Sequence, residues 1–251
     1  MQYTLIKYKQ ILIKILSKIS FVIIISTCVY SVHAYSLSIG LFDDVKIQIS
    51  GNDYINVKLI KGEIYPQMNS SLLSVNLTDI QNKLESIDYI EAVQVSQILP
   101  STLVIHIIER SPILLMNKAD EIIFMDKTGM LLPADKKSIG TFPVPVLSIL
   151  DKNGSIDKYS GDIVLIFQFL LDEYPIFYNN LSEVIIQEGI WEFNSDNNTK
   201  IYAHASYLTN QLNILKEFEK TVYPIRDLGD YRYIDLRIKD QVIVKEKYRK
   251  G

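Results

Sequence analysis

Three histidines, His33, His106 and His204, are the residues of this chain best suited to move a proton or hold a metal near neutral pH. They are scattered, and no His-x-x-x-His or Glu-flanked His pair occurs, which argues against a zinc hydrolase. His106 falls in a predicted strand on the face opposite Ile105 and Ile107, the place of a surface or half-buried strand residue. Asp126, Asp196 and Asp235 could be imagined as a carboxylate set for acid–base work, but each stands at a turn or a strand border, where Asp serves turn geometry. There is no Gly-x-Ser-x-Gly elbow and no Gly-rich phosphate loop. The one cysteine, Cys28, excludes an internal disulfide and a Cys-rich zinc site. Trp191, the one tryptophan, precedes an alternating strand and reads as core or sheet-face packing. The residues predict no catalytic arrangement, no cofactor and no metal, and they point to binding.

The physical opportunity for binding lies late in the chain. Residues 231–238 and 242–245 read as two strands joined at Lys239-Asp240. A last strand that is also a sheet edge presents unpaired N–H and C=O groups, to which a partner strand can add. Val242 and Val244 are candidates for that edge, with ordinary strand packing the competing role.

The elements that must position this edge begin with an uneven charge distribution. The chain has 251 residues, 48% hydrophobic and 22% charged, with a net charge of −3. The 26 basic and 29 acidic side chains show no basic bias, so nucleic acid is not an expected partner; with no catalytic arrangement in the sequence, a small-molecule substrate is not expected either. Lys7, Lys9, Lys14 and Lys18 precede the first acidic residue, Asp43, and without those four lysines residues 43–251 carry a balance of −7. Residues 19–42 contain no Lys, Arg, Asp or Glu. This span is long enough to cross a bilayer, and lysines before it predict a cytoplasmic tail, residues 1–18, with the bulk outside. The alternative is a signal peptide cleaved after Ala34, in the sequence Val32-His33-Ala34.

Beyond the anchor, residues 45–49 alternate as a strand, and Val57, Ile60 and Ile64 recur at helical spacing. Asn69-Ser70-Ser71 reads as a loop and residues 72–75 as a short extended piece. Thr78 is the expected N-cap of a helix carrying Leu77, Ile80, Leu84 and Ile87. Strands follow at 90–98 and 103–109 around a Pro100-Ser101 turn. The resulting β-α-α-β-β module spans 43–112. Residues 113–133 read as strand, turn, strand, with Asp126-Lys127-Thr128-Gly129 as the turn. A helix over 162–173, strands over 182–187, 189–194 and 199–203, and a helix over 207–222 complete a β-rich domain, 113–246, with a short tail, 247–251. The fold class is α+β, with mixed or antiparallel sheet.

This order, with "IQISGN" (47–52), "LESIDYIEAVQVSQILPSTLVIHIIERSP" (84–112) and "YIDLRIKDQVIVK" (233–245), resembles the POTRA-containing FtsQ/DivIB family of bacterial cell-division proteins. The resemblance implies a non-enzymatic, single-pass divisome scaffold of the cytoplasmic (inner) membrane at the septum. Such a protein would bind FtsB- and FtsL-type bitopic proteins by strand addition beside its last strand and link early to late division proteins. Carried over by position, contact residues fall at Ile238, Asp240, Lys245 and Glu246, beside the edge candidates Val242 and Val244. Their types differ from the aromatic and small residues common there in the family. A POTRA-bearing chaperone-like factor for exported polypeptides, or an anchored envelope enzyme with an unfamiliar site, are the competing readings.

Overall fold

The computed structural model describes residues 2–68, 71–118, 121–151 and 156–247, in two compact units divided after Glu109. The expected loop at Asn69-Ser70 and the tail beyond Lys247 fall outside the described residues. Arg110 and Pro112 stand with the second unit.

The first unit begins with α1 (Gln2–Ser38), whose stretch Ile13–Ser38 is long and apolar enough to cross a membrane. The helix starts well before the uncharged span, so the lysine-bearing tail is helical too, and it ends short of Phe42. Then come β1 (Lys46–Ser50), α2 (Val57–Ile64), α3 (Leu77–Glu85), β2 (Ile90–Ile98) and β3 (Thr102–Glu109). The sheet order is β1-β3-β2, with β1 parallel and β2 antiparallel to the central β3. Period decides what is buried: Leu103, Ile105 and Ile107 alternate on β3, and Ile60, Ile64, Ile80 and Leu84 recur at helical spacing, all of them fully buried.

Two readings of this region change. Residues Leu72–Ser74 form a 3-10 turn rather than an extended piece, with Leu72 buried. The cap of α3 is Asn76, whose side-chain oxygen accepts from the N–H groups of Thr78 and Asp79. Gly51 has to be glycine, since at φ +78° a Cβ would stand 2.0 Å from the Ile107 carbonyl oxygen. Beyond it, the Glu109 carboxylate accepts from Tyr54 N at 2.9 Å and Ile55 N at 2.8 Å, tying the turn after β1 to the end of β3.

The second unit holds a nine-stranded mixed sheet. Its strands are β4 (Pro112–Lys118), β5 (Glu121–Asp126), β6 (Leu131–Pro133), β7 (Val146–Ile149), β8 (Leu181–Gln187), β9 (Ile190–Ser195), β10 (Lys200–His204), β11 (Tyr231–Asp235) and β12 (Ile243–Glu246). Their order is β12-β11-β10-β9-β8-β7-β4-β5-β6. The helices are α4 (Lys136–Thr141), α5 (Ile156–Glu173), α6 (Pro175–Asn179) and α7 (Leu208–Val222). Residues 113–133 hold three strands where two were expected. The reading of 113–125 as one strand overlooked a reversal between β4 and β5, which pair antiparallel. The Asp126–Gly129 turn is present and leads into β6.

One hydrophobic cluster holds this unit together. Ile163, Ile166, Phe167 and Leu170 of α5 and Leu208, Leu212 and Leu215 of α7 join Val184, Ile186, Trp191, Phe193, Ile201 and Ile234 from the sheet. Trp191 is completely buried beside Phe193, ring centres 6.0 Å apart, so it packs the core.

Asp126 closes its own turn. Its carboxylate accepts from Thr128 Oγ1 at 2.6 Å, Thr128 N at 2.8 Å and Met130 N at 2.9 Å, and pairs with Arg110 Nη1 at 2.9 Å. Burial works to raise its pKa, but the hydrogen bonds from Thr128, Arg110 and Met130 together outweigh burial and hold it below the ordinary 3.8. A lowered native pKa contributes stability that is complete above the unfolded value and lost as pH falls through the native one. Unfolding followed against pH should therefore show stability dropping below about pH 4. Asp126→Asn should be less stable at neutral pH and show a shallower acid-side slope. In the first unit, Ile105→Ala should cost about 2–5 kcal/mol in a denaturant titration.

Candidate partner-binding edge

Strand β12 forms one end of the nine-stranded sheet and has a single described neighbour, β11. The pair is antiparallel, with Asp235 opposite Ile243, Ile234 opposite Val244, Tyr233 opposite Lys245 and Tyr231 opposite Glu246; a bulge on β11 lies between Tyr231 and Tyr233. All four residues of β12 are exposed.

The direction of the backbone follows from the next residue. Lys247 N donates to Asp230 O at 2.8 Å, so this N–H points toward β11. By the two-residue period of a strand, Ile243 and Lys245 also turn their N–H and C=O groups toward β11, while Val244 and Glu246 turn theirs to the open edge. The faces divide the other way. Val244, opposite the buried Ile234, shares the core-side face with Glu246, while Ile243 and Lys245 share the outer face with Asp235 and Tyr233.

The candidate residues do not all lie on the edge. Val244, Lys245 and Glu246 belong to β12. Val242 is partly buried and packs against the main core just before it. Ile238 and Asp240 lie in the connection between β11 and β12, which is longer than the expected turn, with β11 ending at Asp235. Within it Asp240 has φ +56° and Ile238 is exposed.

Several side chains fix this end of the sheet. Arg226 Nη2 pairs with Glu246 Oε1 at 2.9 Å. Arg237 binds Asp235 through Nε at 2.9 Å and Nη2 at 2.6 Å, and its guanidinium lies 5.3 Å from the ring centre of Tyr202. The Arg237 contacts hold the Asp235 carboxylate below its ordinary pKa despite burial. Sequence reasoning missed a further contact at this end. Lys247 Nζ donates to the carbonyls of Gly229, at 2.8 Å, and Asn197, and lies 3.3 Å from Thr199 Oγ1. Thr199 is completely buried, with its hydroxyl 2.7 Å from Tyr231 O and 2.9 Å from Leu228 O; its one hydrogen serves one of them at a time. The ammonium thus clasps the end of β12 to two loops. No local pattern marks it, because its partners lie 18 and 50 residues away.

The imagined carboxylate set does not assemble. Asp126 ends β5 and Asp235 ends β11, six strand steps apart in the sheet order, or roughly 29 Å at ~4.8 Å per step. Asp196 is an exposed residue of the β9–β10 turn. His106 hydrogen-bonds Ser50 across β1 and β3 at 3.1 Å, and His204 accepts from Ser206 N as a helix cap.

With the geometry in place, comparison with known proteins adds the family. Residues 44–110, the region of β1 to β3, match the model of the POTRA domain, FtsQ-type. These residues form a POTRA domain of the FtsQ type. Similarity continues beyond it. The chain is 26% identical over 201 residues to the cell division protein FtsQ of Rickettsia bellii, covering 80% of this chain and 70% of that one. It is 29% identical over 86 residues to FtsQ of Novosphingobium aromaticivorans, covering 34% and 27%. It is 26% identical over 120 residues to the cell division protein DivIB of Clostridium acetobutylicum, covering 48% of each. The resemblance to FtsQ/DivIB proteins read from the sequence holds, and it supports a role in cell division.

The clasp predicts a measurable effect. Lys247→Met keeps the aliphatic stem but leaves the Gly229 and Asn197 carbonyls without their charged donor. Hydrogen bonds to charged groups are worth about 1.5–3 kcal/mol, so the amides of Ile243 and Lys245 should exchange with solvent roughly 10- to 100-fold faster by hydrogen–deuterium exchange.

Proposed function

We propose that this chain is a non-enzymatic scaffold of the cell-division machinery. It is held in the cytoplasmic membrane by α1, with the N-terminal lysines on the cytoplasmic side and both folded units outside, at the division septum. Its partners are bitopic proteins of the FtsB and FtsL type, and through them it links early to late division proteins. The observation that carries the partner reading is the edge of β12, where Val244 and Glu246 turn their backbone groups away from β11. A partner strand docking there would satisfy those groups and extend the sheet, with affinity from main-chain hydrogen bonds and selectivity from alternate side chains. Ile243 and Lys245 would meet the partner on the outer face, and Val244 and Glu246 on the core-side face. Ile238 and Asp240, in the connection, would contact chain flanking the added strand, and Val242 would support the edge from beneath.

Co-expression of the full chain with FtsB- and FtsL-type proteins, followed by co-purification from membranes, tests the scaffold reading. A reproducible failure with all three present would remove it. Val244→Pro tests the edge itself. It deletes an outward N–H while leaving the ladder groups of Ile243 and Lys245 in place. Partner binding should weaken at least ten-fold, whereas Val244→Thr, which keeps the N–H and the β-branched shape, should bind as the native chain does. Equal binding by the Pro variant would rule out strand addition at this edge.

A further inference from the structure

The first unit carries a group of exposed apolar side chains at one particular place. The helix α1 ends in a tight reversal, with Leu41 N donating to Ser36 O and Gly40 N to Leu37 O, both 3.1 Å, and Gly40 at φ +63°. This paired pattern stops a helix and turns the chain within a few residues. The uncharged part of α1, residues 19–38, is 20 residues long, which at ~1.5 Å per residue is about 30 Å, the thickness of the hydrocarbon core. With Lys18 at one boundary, Ser38 stands at the other, and the reversal lies in the headgroup layer.

The POTRA domain is tied closely to that reversal. Phe42 O accepts from Leu72 N at 2.9 Å, the Gln97 side-chain amide donates to Leu72 O at 2.8 Å, and Lys46 N donates to Ser101 O at 2.8 Å. Three segments therefore meet where the chain leaves the helix: the reversal itself, the Leu72–Ser74 turn, and the turn joining β2 to β3. Each exposes large apolar side chains, namely Ile39 and Leu41, Leu73, and Ile98 and Leu99, the last two 57% and 62% exposed.

We propose that these five side chains form a membrane-facing surface by which the POTRA domain rests on the headgroup–acyl boundary. Resting on the proposed anchoring by α1, this surface has the lipid interface as its partner. The chain delivers the patch there, and apolar side chains gain by leaving water at that boundary. The neighbouring charges are Asp43, Asp44 and Lys46, with a net negative balance, so the contact does not draw on anionic lipid and holds in zwitterionic bilayers at high salt. The domain is thereby fixed by two attachments, the covalent one through residues 39–45 and the apolar one through the two turns.

The test uses the full chain in palmitoyl-oleoyl-phosphatidylcholine vesicles, with an environment-sensitive fluorophore on single cysteines and nitroxide-labelled lipid as quencher. The native Cys28, near the middle of the span, reports insertion and should be quenched by nitroxide deep in the acyl chains. Ile98→Cys and Leu73→Cys, each in a Cys28→Ser background, should be quenched by headgroup nitroxide at least two-fold more than Asp88→Cys. Asp88 is exposed and lies beyond the other end of β2, roughly 26 Å along the strand at ~3.3 Å per residue. That difference should persist at high salt. Quenching at Ile98 and Leu73 equal to that at Asp88, with Cys28 still quenched by the acyl-chain nitroxide, would overturn the membrane-facing surface alone. An unquenched Cys28 would overturn the anchor, and this surface with it.

Discussion

A β-sheet that does not close on itself has two ends, and each end exposes a row of backbone groups made for pairing. In the second unit the ends are β6 and β12. Of these, β12 is longer and fully exposed, and it is braced by Lys247 and Arg226. Cores and caps can be satisfied within a chain, but a straight, braced, uncovered edge cannot. Proteins commonly blunt such an edge with proline, inward-pointing charge or a covering loop. Here the bulge falls on β11, the inner strand, and leaves the outer one regular. The charges beside the edge, Lys247 and Arg226, are engaged in holding it still.

The rest of the second unit supports that edge with a packed core. Helices α5 and α7 lay apolar stripes on one side of the sheet, and the cluster they complete runs from Leu114 on β4 to Leu236 just past β11. Because β10 and β11 are parallel, the chain must cross over between them, and α7 makes the crossing while burying Leu208, Leu212 and Leu215. The last hairpin is thus anchored through a helix rather than a flexible loop. The first unit applies the same economy on a smaller scale, with three strands, the helices α2 and α3, and Glu109 holding the turn after β1.

Much of this was legible in the sequence, for reasons that differ by element. The helix at Val57–Ile64 and the strands at 90–98 and 103–109 are legible because one period dominates each window; Ile60, Ile64, Leu103, Ile105 and Ile107 are buried as the period selects, while Val57 is exposed and Val95 only partly buried. Leu72–Ser74 was misread because two adjacent apolar residues fit a strand or a turn equally, and only Leu72 is buried. Asn76 and Thr78 are both good cap residues; Asn76 takes the position, its extended backbone letting its side-chain oxygen accept from Thr78 N and Asp79 N. The edge was legible from composition and resemblance. Its register, its bulge and the Lys247 clasp were not, since each depends on contacts between residues far apart in the chain.

The order of strands also has a consequence in time. Strand β12 follows every other described strand in the chain, so it is the last of them to emerge during synthesis. Until it arrives, the sheet ends at β11, whose Ile234, completely buried, lies opposite Val244 in the finished fold. The clasp at Gly229 and Asn197 must wait as well, because its ammonium comes one residue after the strand. The braced edge, clasp included, therefore exists only on chains that have been made through Lys247.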